Sequence, residues 1–429
     1  MAVFATRAVA YAHATLVSSE PPADSRLASS PPRVRLLFNE EVDPSLAQLS
    51  LVARDGRVTR LAVKGDPHDV RALVAPVATL ATGGYRLVWR VVSADGHPVE
   101  GSFVFFVGAA AGQAPSEPAV TNAPGTLGAA LAGAGLAAAV LRGLGVGSLA
   151  GLTGLLFFLS WPRAAGEPPA RRPARIVNWV AVAAPVFLVL HLIAWVVHAS
   201  PELRLASGAE SGEVGTLALL TSGVARLELW RTGLTLLASW SFWVARRQRL
   251  ALAFASAALL VSGAIGHSGA IDPIVATPAK ALHLLAAAAW LGGLLWLVAR
   301  EPGDGALLAR DAARVSTIAL AAVVVVLLSG LLQAALFLPS GYDLFRSTYG
   351  AVVLVKVAGL LVLVAFGAHH RYRVVPRLDR EATMSPRFAT TLRGEIAVMS
   401  LVMLVGGLLA YIPTPHPAAP HTVSPHAAQ

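Results

Sequence analysis

The sequence contains no cysteine and few charged residues. Of its 429 residues, 14% are charged and 55% are hydrophobic, whereas an ordinary soluble domain has about 25% charged residues. The absence of cysteine excludes disulfides, thiolate metal sites and cysteine nucleophiles. The shortage of charge excludes a disordered chain and argues against a single water-soluble globule. The chain also lacks the G-x-x-x-x-G-K-[ST] motif of P-loop proteins, so no nucleotide partner is predicted.

Lysine is nearly absent as well, although the chain is basic. Only three of the 34 basic residues are lysine, and the formal net charge is +10. A basic chain can indicate nucleic-acid binding. Here, however, the arginines are concentrated in every second connection between apolar segments, as the positive-inside rule predicts for a membrane protein. The charge therefore indicates membrane topology, and no nucleic-acid partner is expected.

Residues 13–108 predict an all-β domain. Short runs such as RVRLLFNEEV (Arg33 to Val42) and GYRLVWRVV (Gly84 to Val92) alternate apolar and polar residues between Pro, Gly, Asp and Asn, which is typical of strands. About seven such runs predict an immunoglobulin-like Greek-key sandwich. Residues 109–125 are small, polar and proline-containing, which is the composition of a linker.

Residues 126–412 predict an all-α polytopic membrane domain. Apolar segments of the length needed to cross ~30 Å of hydrocarbon recur about eight times. They cover residues 133–160, 176–198, 230–245, 249–267, 278–299, 315–338, 350–370 and 394–412. The arginine-rich connections follow the first, third, fifth and seventh segments. We therefore expect a multi-pass protein of the cell membrane, with the sandwich and the C-terminal tail on the extracytoplasmic side.

Histidines occur near both ends of the chain, one directly after a possible cleavage site and three in the C-terminal tail. Residues 1–12 are short for an export signal, but Ala10-Tyr11-Ala12 resembles a cleavage site. We interpret residues 1–12 as a signal-peptide remnant and expect His13 to begin the mature protein. The tail, residues 413–429, holds His416, His421 and His426 among prolines. A metal-scavenging tail and an ordinary flexible terminus both fit this composition.

Three residues of the predicted sandwich form a candidate metal site. A free N-terminal His13 offers its amine and a ring nitrogen to one ion, while Asp95 and His97 project to one side of an extended segment. Such a nitrogen and oxygen set suits Cu(II). A frayed terminus beside a solvated Asp-Gly turn fits the same residues equally well. His68 is interpreted as a loop residue, and the sandwich has no Met or Cys from which to build a separate Cu(I) site.

The apolar segments contain ionisable and thioether side chains that are costly or unusual in a bilayer. The histidines are predicted near the sandwich side, and the two methionines, at positions i and i+4, put sulfur on one helix face, which suits Cu(I). Core packing is the alternative for each of them. Arg142 and Lys356 are interpreted as structural, because a fixed cation repels copper. The candidates for a transmembrane copper path are His191, His198, His267, His283, Met399 and Met403.

Two pairs of segments carry a family resemblance. HATLVSSEPPADSRLASSPPRVRLLFNEEVDP (from His13) and SADGHPVEGSFVFFVG (from Ser93) resemble the two ends of a CopC-type periplasmic copper-binding domain. KALHLLAAAAWLGGLLWL (from Lys280) and STYGAVVLVKVAGLLVLVAFGAHHRYRVVPRL (from Ser347) resemble the CopD permease. The chain thus resembles a CopC–CopD fusion of the YcnJ type. The resemblance implies that His13, Asp95 and His97 bind Cu(II). Relatives often have Asn where His370 stands, so no role is predicted for His370.

Three functions are weighed. The first is copper transport for uptake or resistance, without enzymatic activity, with the copper ion and the lipid bilayer as partners. The direction, the valence of the transported ion and the oligomeric state stay open. The second is a copper-dependent oxidative enzyme with an N-terminal histidine brace, which is disfavoured because Asp95 would fill a position that oxygen chemistry needs open. The third is a sensor or scaffold, which is disfavoured because no inner connection is long enough for a signalling domain.

Overall fold

The structure, a computed structural model, has a β-sandwich followed by a helical bundle. It describes residues 14–92, 98–108, 134–161, 173–207, 220, 222–299, 305–338, 340–378, 384–412 and 414–415. The predicted fold class is confirmed for both parts. The predicted signal remnant, the predicted linker and the tail histidines lie outside the described residues.

The sandwich contains nine strands within the described residues. They are β1 (Leu16–Glu20), β2 (Arg26–Leu27), β3 (Arg33–Phe38), β4 (Gln48–Ala53), β5 (Val58–Leu61), β6 (Lys64–Asp66), β7 (Asp69–Pro76), β8 (Gly83–Val92) and β9 (Pro98–Val107). One sheet has the order β1-β3-β7-β6 and the other β2-β9-β8-β4-β5. A 3₁₀ turn at Pro44–Leu46 precedes β4. All neighbouring strands are antiparallel except β2 and β9.

Alternating side chains of β3 explain why this segment forms a half-buried strand. Val34, Leu36 and Phe38 are fully buried, while the alternating residues Arg33, Arg35 and Leu37 are more exposed. Burying one such side chain stabilises the fold by roughly 1.5–3 kcal/mol. The Phe38 ring meets the Trp89 ring edge-on at 5.2 Å. This contact joins the two sheets, since Phe38 belongs to β3 and Trp89 to β8.

The helical part contains ten α-helices within the described residues. They are α1 (Ala134–Ser160), α2 (Pro173–Ser207), α3 (Gly223–Trp243), α4 (Gln248–Ala264), α5 (His267–Ile271), α6 (Ala276–Ala299), α7 (Gly305–Phe337), α8 (Asp343–Arg346), α9 (Thr348–His369) and α10 (Met384–Leu409). A π-helical turn at His370–Val374 extends α9. Each of the eight predicted apolar segments is therefore helical.

Six of these helices are long and apolar enough to cross a membrane: α1, α2, α6, α7, α9 and α10. The other two segments differ from the prediction in length or composition. The third segment, predicted as residues 230–245, is α3 and begins earlier at Gly223, where the Ser222 side chain accepts a hydrogen bond from the Ala225 backbone N–H at 3.2 Å. The earlier start brings Arg226 and Glu228 into the helix. The fourth segment is α4, which has only 17 residues.

Small residues let α1 pack closely against two other helices. A Cβ atom on Gly154 would lie 1.9 Å from the Ala288 carbonyl oxygen of α6, and one on Gly143 would lie 2.8 Å from the Leu404 Cα of α10. Glycine at a helix contact permits such a close approach, because it has no side chain. These contacts place α1 at the centre of the bundle.

The sandwich touches the bundle through a small hydrophobic cluster. Leu46 and Val92 of the sandwich are buried together with Trp195 of α2 and Ala225 of α3. We call this side of the bundle the sandwich end. Since α3 begins there and runs for 21 residues, a length of about 30 Å, its last residues lie at the opposite end.

Candidate functional site

The predicted Cu(II) ligands are attached to well-defined strands. His13, Asp95 and His97 themselves lie outside the described residues. In the β8–β9 ladder Val92 pairs with Pro98, so residues 93–97 connect two adjacent strands. Ala14, directly after His13, is 1% exposed, and the Thr15 backbone N–H donates to Asn39 Oδ1 at 2.6 Å. Both predicted segments therefore leave from anchored backbone.

The same strands show that the two segments leave at one end of the sandwich. β3 and β8 start close together, because the Leu80 backbone N–H donates to Ser30 Oγ at 2.9 Å. They end close together at the Phe38–Trp89 ring contact. Leu16, at the start of β1, pairs with Phe38. The chain before Leu16 and the chain after Trp89 thus emerge on the same side.

His68 has the position predicted for a loop residue. It is exposed, and its backbone N–H donates to Asp66 Oδ1 at 3.0 Å. The other oxygen of Asp66 accepts from Arg35 Nε at 2.7 Å. This hydrogen bond holds the pKa of the Asp66 carboxyl below its usual range. The pair orders the β6–β7 turn around His68.

The hydrophobic cluster at the sandwich end brings residues 93–97 close to two membrane histidines. Val92 precedes this segment directly and is buried in the cluster with Trp195. Trp195 lies four residues after His191 and three before His198, so the three side chains share one side of α2. The attachment point of the predicted Asp95 and His97 therefore lies beside the helix that carries His191 and His198.

His191 is fully buried between three helices. Its Nδ1 lies 2.9 Å from the Ala138 carbonyl oxygen of α1. A carbonyl oxygen only accepts, so Nδ1 carries the hydrogen and Nε2 keeps a lone pair. This Nε2 has no hydrogen-bond partner among the described residues and lies 3.5 Å from Glu228 Oε1. The imidazole is thus held in a form that can accept a proton or a metal ion.

Glu228, which sequence reasoning missed, is the centre of a buried ionic cluster. Its carboxylate forms an ion pair with Arg231 of the same helix, and Arg142 Nη1 of α1 lies 3.8 Å from Glu228 Oε1. With a neutral His191, two guanidinium groups and one carboxylate give the cluster a net charge of +1. Positive charge disfavours a resident metal cation at this level. The i, i+3 spacing of Glu228 and Arg231 was the available sequence signal.

Two residues just after α10, Tyr411 and Ile412, lie next to the histidines of the sandwich end. The Tyr411 ring lies 6.4 Å from the His191 ring and 6.3 Å from the His198 ring. The next residue, Ile412, accepts a hydrogen bond from His267 Nε2 at 3.1 Å. His191, His198 and His267 therefore surround two consecutive residues, although the rings do not form a common cluster.

His283 lies deeper, on α6. Its Nδ1 is 3.0 Å from Ser329 Oγ of α7. The Ser329 hydroxyl has the Val325 carbonyl oxygen as an acceptor at 2.5 Å, so it accepts from the imidazole. Nδ1 then carries the hydrogen, and Nε2 keeps the lone pair that a metal needs. The geometry of His283 is compatible with its predicted place on a copper path.

Two further basic residues, Lys280 and Arg226, belong to helices. Lys280 lies in α6, where its Nζ donates to the Ile265 carbonyl oxygen at 2.5 Å, and Arg226 lies in α3. The same carbonyl accepts from Arg142 Nη2 at 3.3 Å. The backbone between α4 and α5 therefore holds two cations, in agreement with the structural role predicted for Arg142.

The methionine pair lies on the packed face of α10. Met399 is 3% exposed and belongs to the main hydrophobic core. Met403 packs over Gly147 of α1, where an added Cβ would lie 3.5 Å from the Met403 Cβ. Both thioethers thus face the bundle interior. Core packing and copper binding both require side chains that face the bundle interior, so this position is compatible with either role.

A second buried carboxylate lies one helical turn before Met399. Glu395 accepts a hydrogen bond from Trp290 Nε1 of α6 at 3.0 Å. Its Oε2 lies 2.9 Å from His370 Nδ1, and His370 Nε2 lies 2.8 Å from Thr391 Oγ1. Glu395 and His370 are both nearly inaccessible to solvent. Sequence reasoning assigned no role to His370 and overlooked Glu395.

Within the described residues, no three His, Asp or Glu side chains come together as a metal site. The membrane candidates instead form pairs at successive depths. His191 with Glu228 lies near the sandwich end, His283 with Ser329 lies deeper, and Glu395 with His370 lies beyond them. The four histidines predicted near the sandwich side therefore take part in separate contacts and do not form one group. They are His191, His198, His267 and His283.

The fold thus defines a β-sandwich joined to a multi-pass membrane protein. Residues 16–108 match the CopC domain model, and residues 309–409 match the model of copper resistance protein D. "Copper transport protein CutJ" of Bacillus subtilis is 29% identical over 436 residues, which cover 96% of this chain and 76% of CutJ. "Copper resistance protein C" of Xanthomonas campestris pv. juglandis is 43% identical over 107 residues, covering 23% of this chain and 84% of that protein. "Inner membrane protein YebZ" of Escherichia coli is 31% identical over 171 residues, covering 38% of this chain and 58% of YebZ.

The chain belongs to the CopC family through its sandwich and carries a CopD domain in its membrane half. It is a CopC–CopD fusion, so the predicted family is confirmed. Two of these relatives are named for copper transport or copper resistance.

Proposed function

We propose that this chain binds copper outside the cell membrane and moves it through its helical bundle, without catalysing a reaction. In this proposal His13, Asp95 and His97 capture Cu(II). The observation that carries it is the position of the two segments bearing these residues, which leave the sandwich at one end. One of them starts at Val92, which is buried against α2 in the cluster that contains Trp195.

The proposed route starts where the sandwich meets α2. Copper passes His198 and His191, then His267 and His283, and then Met403 and Met399. His191 supports this order because its Nε2 lone pair is unused within the described part of the bundle. Thioethers suit Cu(I), and the nitrogen and oxygen donors of the sandwich suit Cu(II).

The proposed orientation puts the sandwich and the tail outside the cell. Arg246, Arg247 and Arg249 lie between the end of α3 and the first turn of α4. Since α3 starts at the sandwich end, these arginines lie at the other end. Tyr349, in the first turn of α9, belongs to the cluster that contains Ile412, so Arg371 and its neighbours also lie at the end away from the sandwich. A concentration of arginine at one end is typical of the cytoplasmic side.

Cu(II) binding by the sandwich is the direct test of the ligand assignment. The fragment from His13 to Gly108 has a hydrophobic core of its own, and the same region covers 84% of a separate copper resistance protein C, so we expect it to fold alone. His97→Ala should abolish tight Cu(II) binding measured by chelator competition. The matched control is His68→Ala, because His68 is an exposed histidine of the same domain. Equal affinity in the two variants would remove His97 from the ligand set.

Copper accumulation in cells tests transport itself. Cells that produce the chain should differ in copper content from cells that lack it, whereas zinc content should be the same. His283→Ala should abolish this difference while the fragment still binds Cu(II). Copper contents that do not depend on the chain would overturn the proposed function.

A further inference from the structure

Glu395 is a buried carboxylate whose ion-pair partner is a histidine, His370. It is 1% exposed on α10, and its neutral donor is Trp290 Nε1 at 3.0 Å. Within the described ranges no Arg or Lys forms an ion pair with it. This contrasts with Glu228, which has two guanidinium partners. A buried carboxylate needs a compensating cation, because an isolated charge is poorly solvated in a protein interior.

The neighbouring imidazole presents a lone pair to this carboxylate. Thr391 Oγ1 has the Phe388 carbonyl oxygen as an acceptor at 3.0 Å, which leaves it able to accept a hydrogen bond from His370 Nε2–H at 2.8 Å. In this tautomer Nδ1 has no hydrogen. It lies 2.9 Å from Glu395 Oε2, a distance at which two acceptor atoms repel each other unless a proton or a metal ion lies between them.

The separation of these two atoms fits two ligands of one metal ion. A metal at about 2.0 Å from a nitrogen and an oxygen that are 2.9 Å apart would see them at an angle of about 90°. This is the angle between neighbouring ligands in the tetragonal N,O geometry of Cu(II). Imidazole nitrogen and carboxylate oxygen are also the donor types that such sites use.

The distribution of charge along the bundle favours a cation at this depth. The Glu228 cluster at the sandwich end has a net charge of +1 with neutral His191, whereas Glu395 with neutral His370 has a net charge of −1. Glu395, Met399 and Met403 follow one another at four-residue intervals, about 6 Å each along α10. The carboxylate thus ends a line of potential copper donors that starts nearer the sandwich.

We propose that His370 Nδ1 and Glu395 Oε2 bind a copper ion at the end of the bundle away from the sandwich. This inference rests on the proposed function and adds two residues that the predicted route does not contain. Trp290 and Thr391 are positioning residues, because each holds one ligand through a hydrogen bond and leaves the other atom of that ligand to the metal.

The test is the copper content of the purified full chain in detergent after titration with copper sulfate. His370→Asn and Glu395→Gln should each bind one copper ion fewer than the wild type, with the loss of one nitrogen-coordinated Cu(II) signal in electron paramagnetic resonance. The matched control is His369→Asn, the same substitution at the adjacent, exposed histidine, which should keep the full content. Glu395→Gln retains an acceptor for Trp290, so a melting temperature close to that of the wild type is expected.

The outcomes separate this site from the sandwich site. His97→Ala should remove a different copper ion, so the double variant His97→Ala/Glu395→Gln should lose two. If Glu395→Gln and His370→Asn both keep the wild-type copper content, the site proposal is wrong and the proposed function stands. If the wild-type chain binds no copper at all, both are wrong.

Discussion

Val92 of the sandwich and Trp195 of α2 are buried in one hydrophobic cluster. The contact is small, since only four buried residues belong to it. Its position nevertheless matters, because Val92 is the last described residue before the segment that carries Asp95 and His97. A copper ion held there would be close to His198 without release of the sandwich.

This docked arrangement predicts a specific crosslink. The chain has no cysteine, so Val92→Cys/Ala225→Cys introduces the only two thiols. A short crosslinker with two thiol-reactive groups should join the two cysteines, because Val92 and Ala225 are buried in the same cluster. Joining is measured by cutting an added protease site in residues 109–125 and testing whether the two fragments still migrate together in denaturing electrophoresis.

The control pair for this crosslink is Val17→Cys/Ala225→Cys. Val17 is 62% exposed and does not belong to the cluster. Little joining is expected for this pair. Equal joining of the two pairs would mean that the sandwich samples many positions over the bundle, and the docked arrangement would have to be abandoned.

The Glu228 cluster predicts a strong dependence of stability on one carboxylate. Glu228→Gln leaves Arg231 and Arg142 without their anionic partner, and breaking a buried ion pair from one side costs about 3–5 kcal/mol. The apparent melting temperature of the full chain in detergent should fall clearly. Asp55→Asn, which removes an exposed partner of Arg57, should change it little, because surface pairs contribute about 0–1 kcal/mol.

A double variant identifies the origin of this loss. Glu228→Gln/Arg231→Met removes both members of the closest pair, so it should melt at a higher temperature than Glu228→Gln alone. If the double variant is less stable than Glu228→Gln, the two side chains stabilise the bundle independently, and the ion-pair explanation is incorrect.

Periodicity and hydropathy were sufficient to predict the fold class. The strands of the sandwich show as period-two runs, and the eight helices show as apolar segments, because both patterns are local in sequence. Residues at the segment edges were harder to place. Glu228 and Arg231 were missed because the third segment was judged by its apolar part, whereas their mutual pairing lets both charges enter a buried helix.

The pairing of Glu395 with His370 and Trp290 could not be predicted from the sequence. The three residues belong to α10, the turn after α9, and α6, and Trp290 is 105 residues away from Glu395. Such contacts depend on which helices are neighbours, and hydrophobic patterning does not specify that. Asp95 and His97 could be proposed as metal ligands because they share a short segment, and this assignment stays a prediction.

Close packing of α1 against α6 provides a last prediction about stability. A Cβ on Gly292 would lie 2.2 Å from the Gly154 carbonyl carbon. That carbon is backbone and cannot rotate away, so Gly292→Ala must push the two helices apart. Overpacking of this kind typically costs about 1–3 kcal/mol.

Gly292→Ala should therefore lower the apparent melting temperature of the full chain and its yield of monodisperse protein in size-exclusion chromatography. The matched substitution is Gly367→Ala in α9, where an added Cβ meets nothing within 4 Å. Alanine replaces glycine there without a clash, and the reduced backbone entropy should stabilise the helix by roughly 0.5–1 kcal/mol. A Gly292→Ala chain that melts no lower than Gly367→Ala would show that α1 and α6 are not in the close contact described.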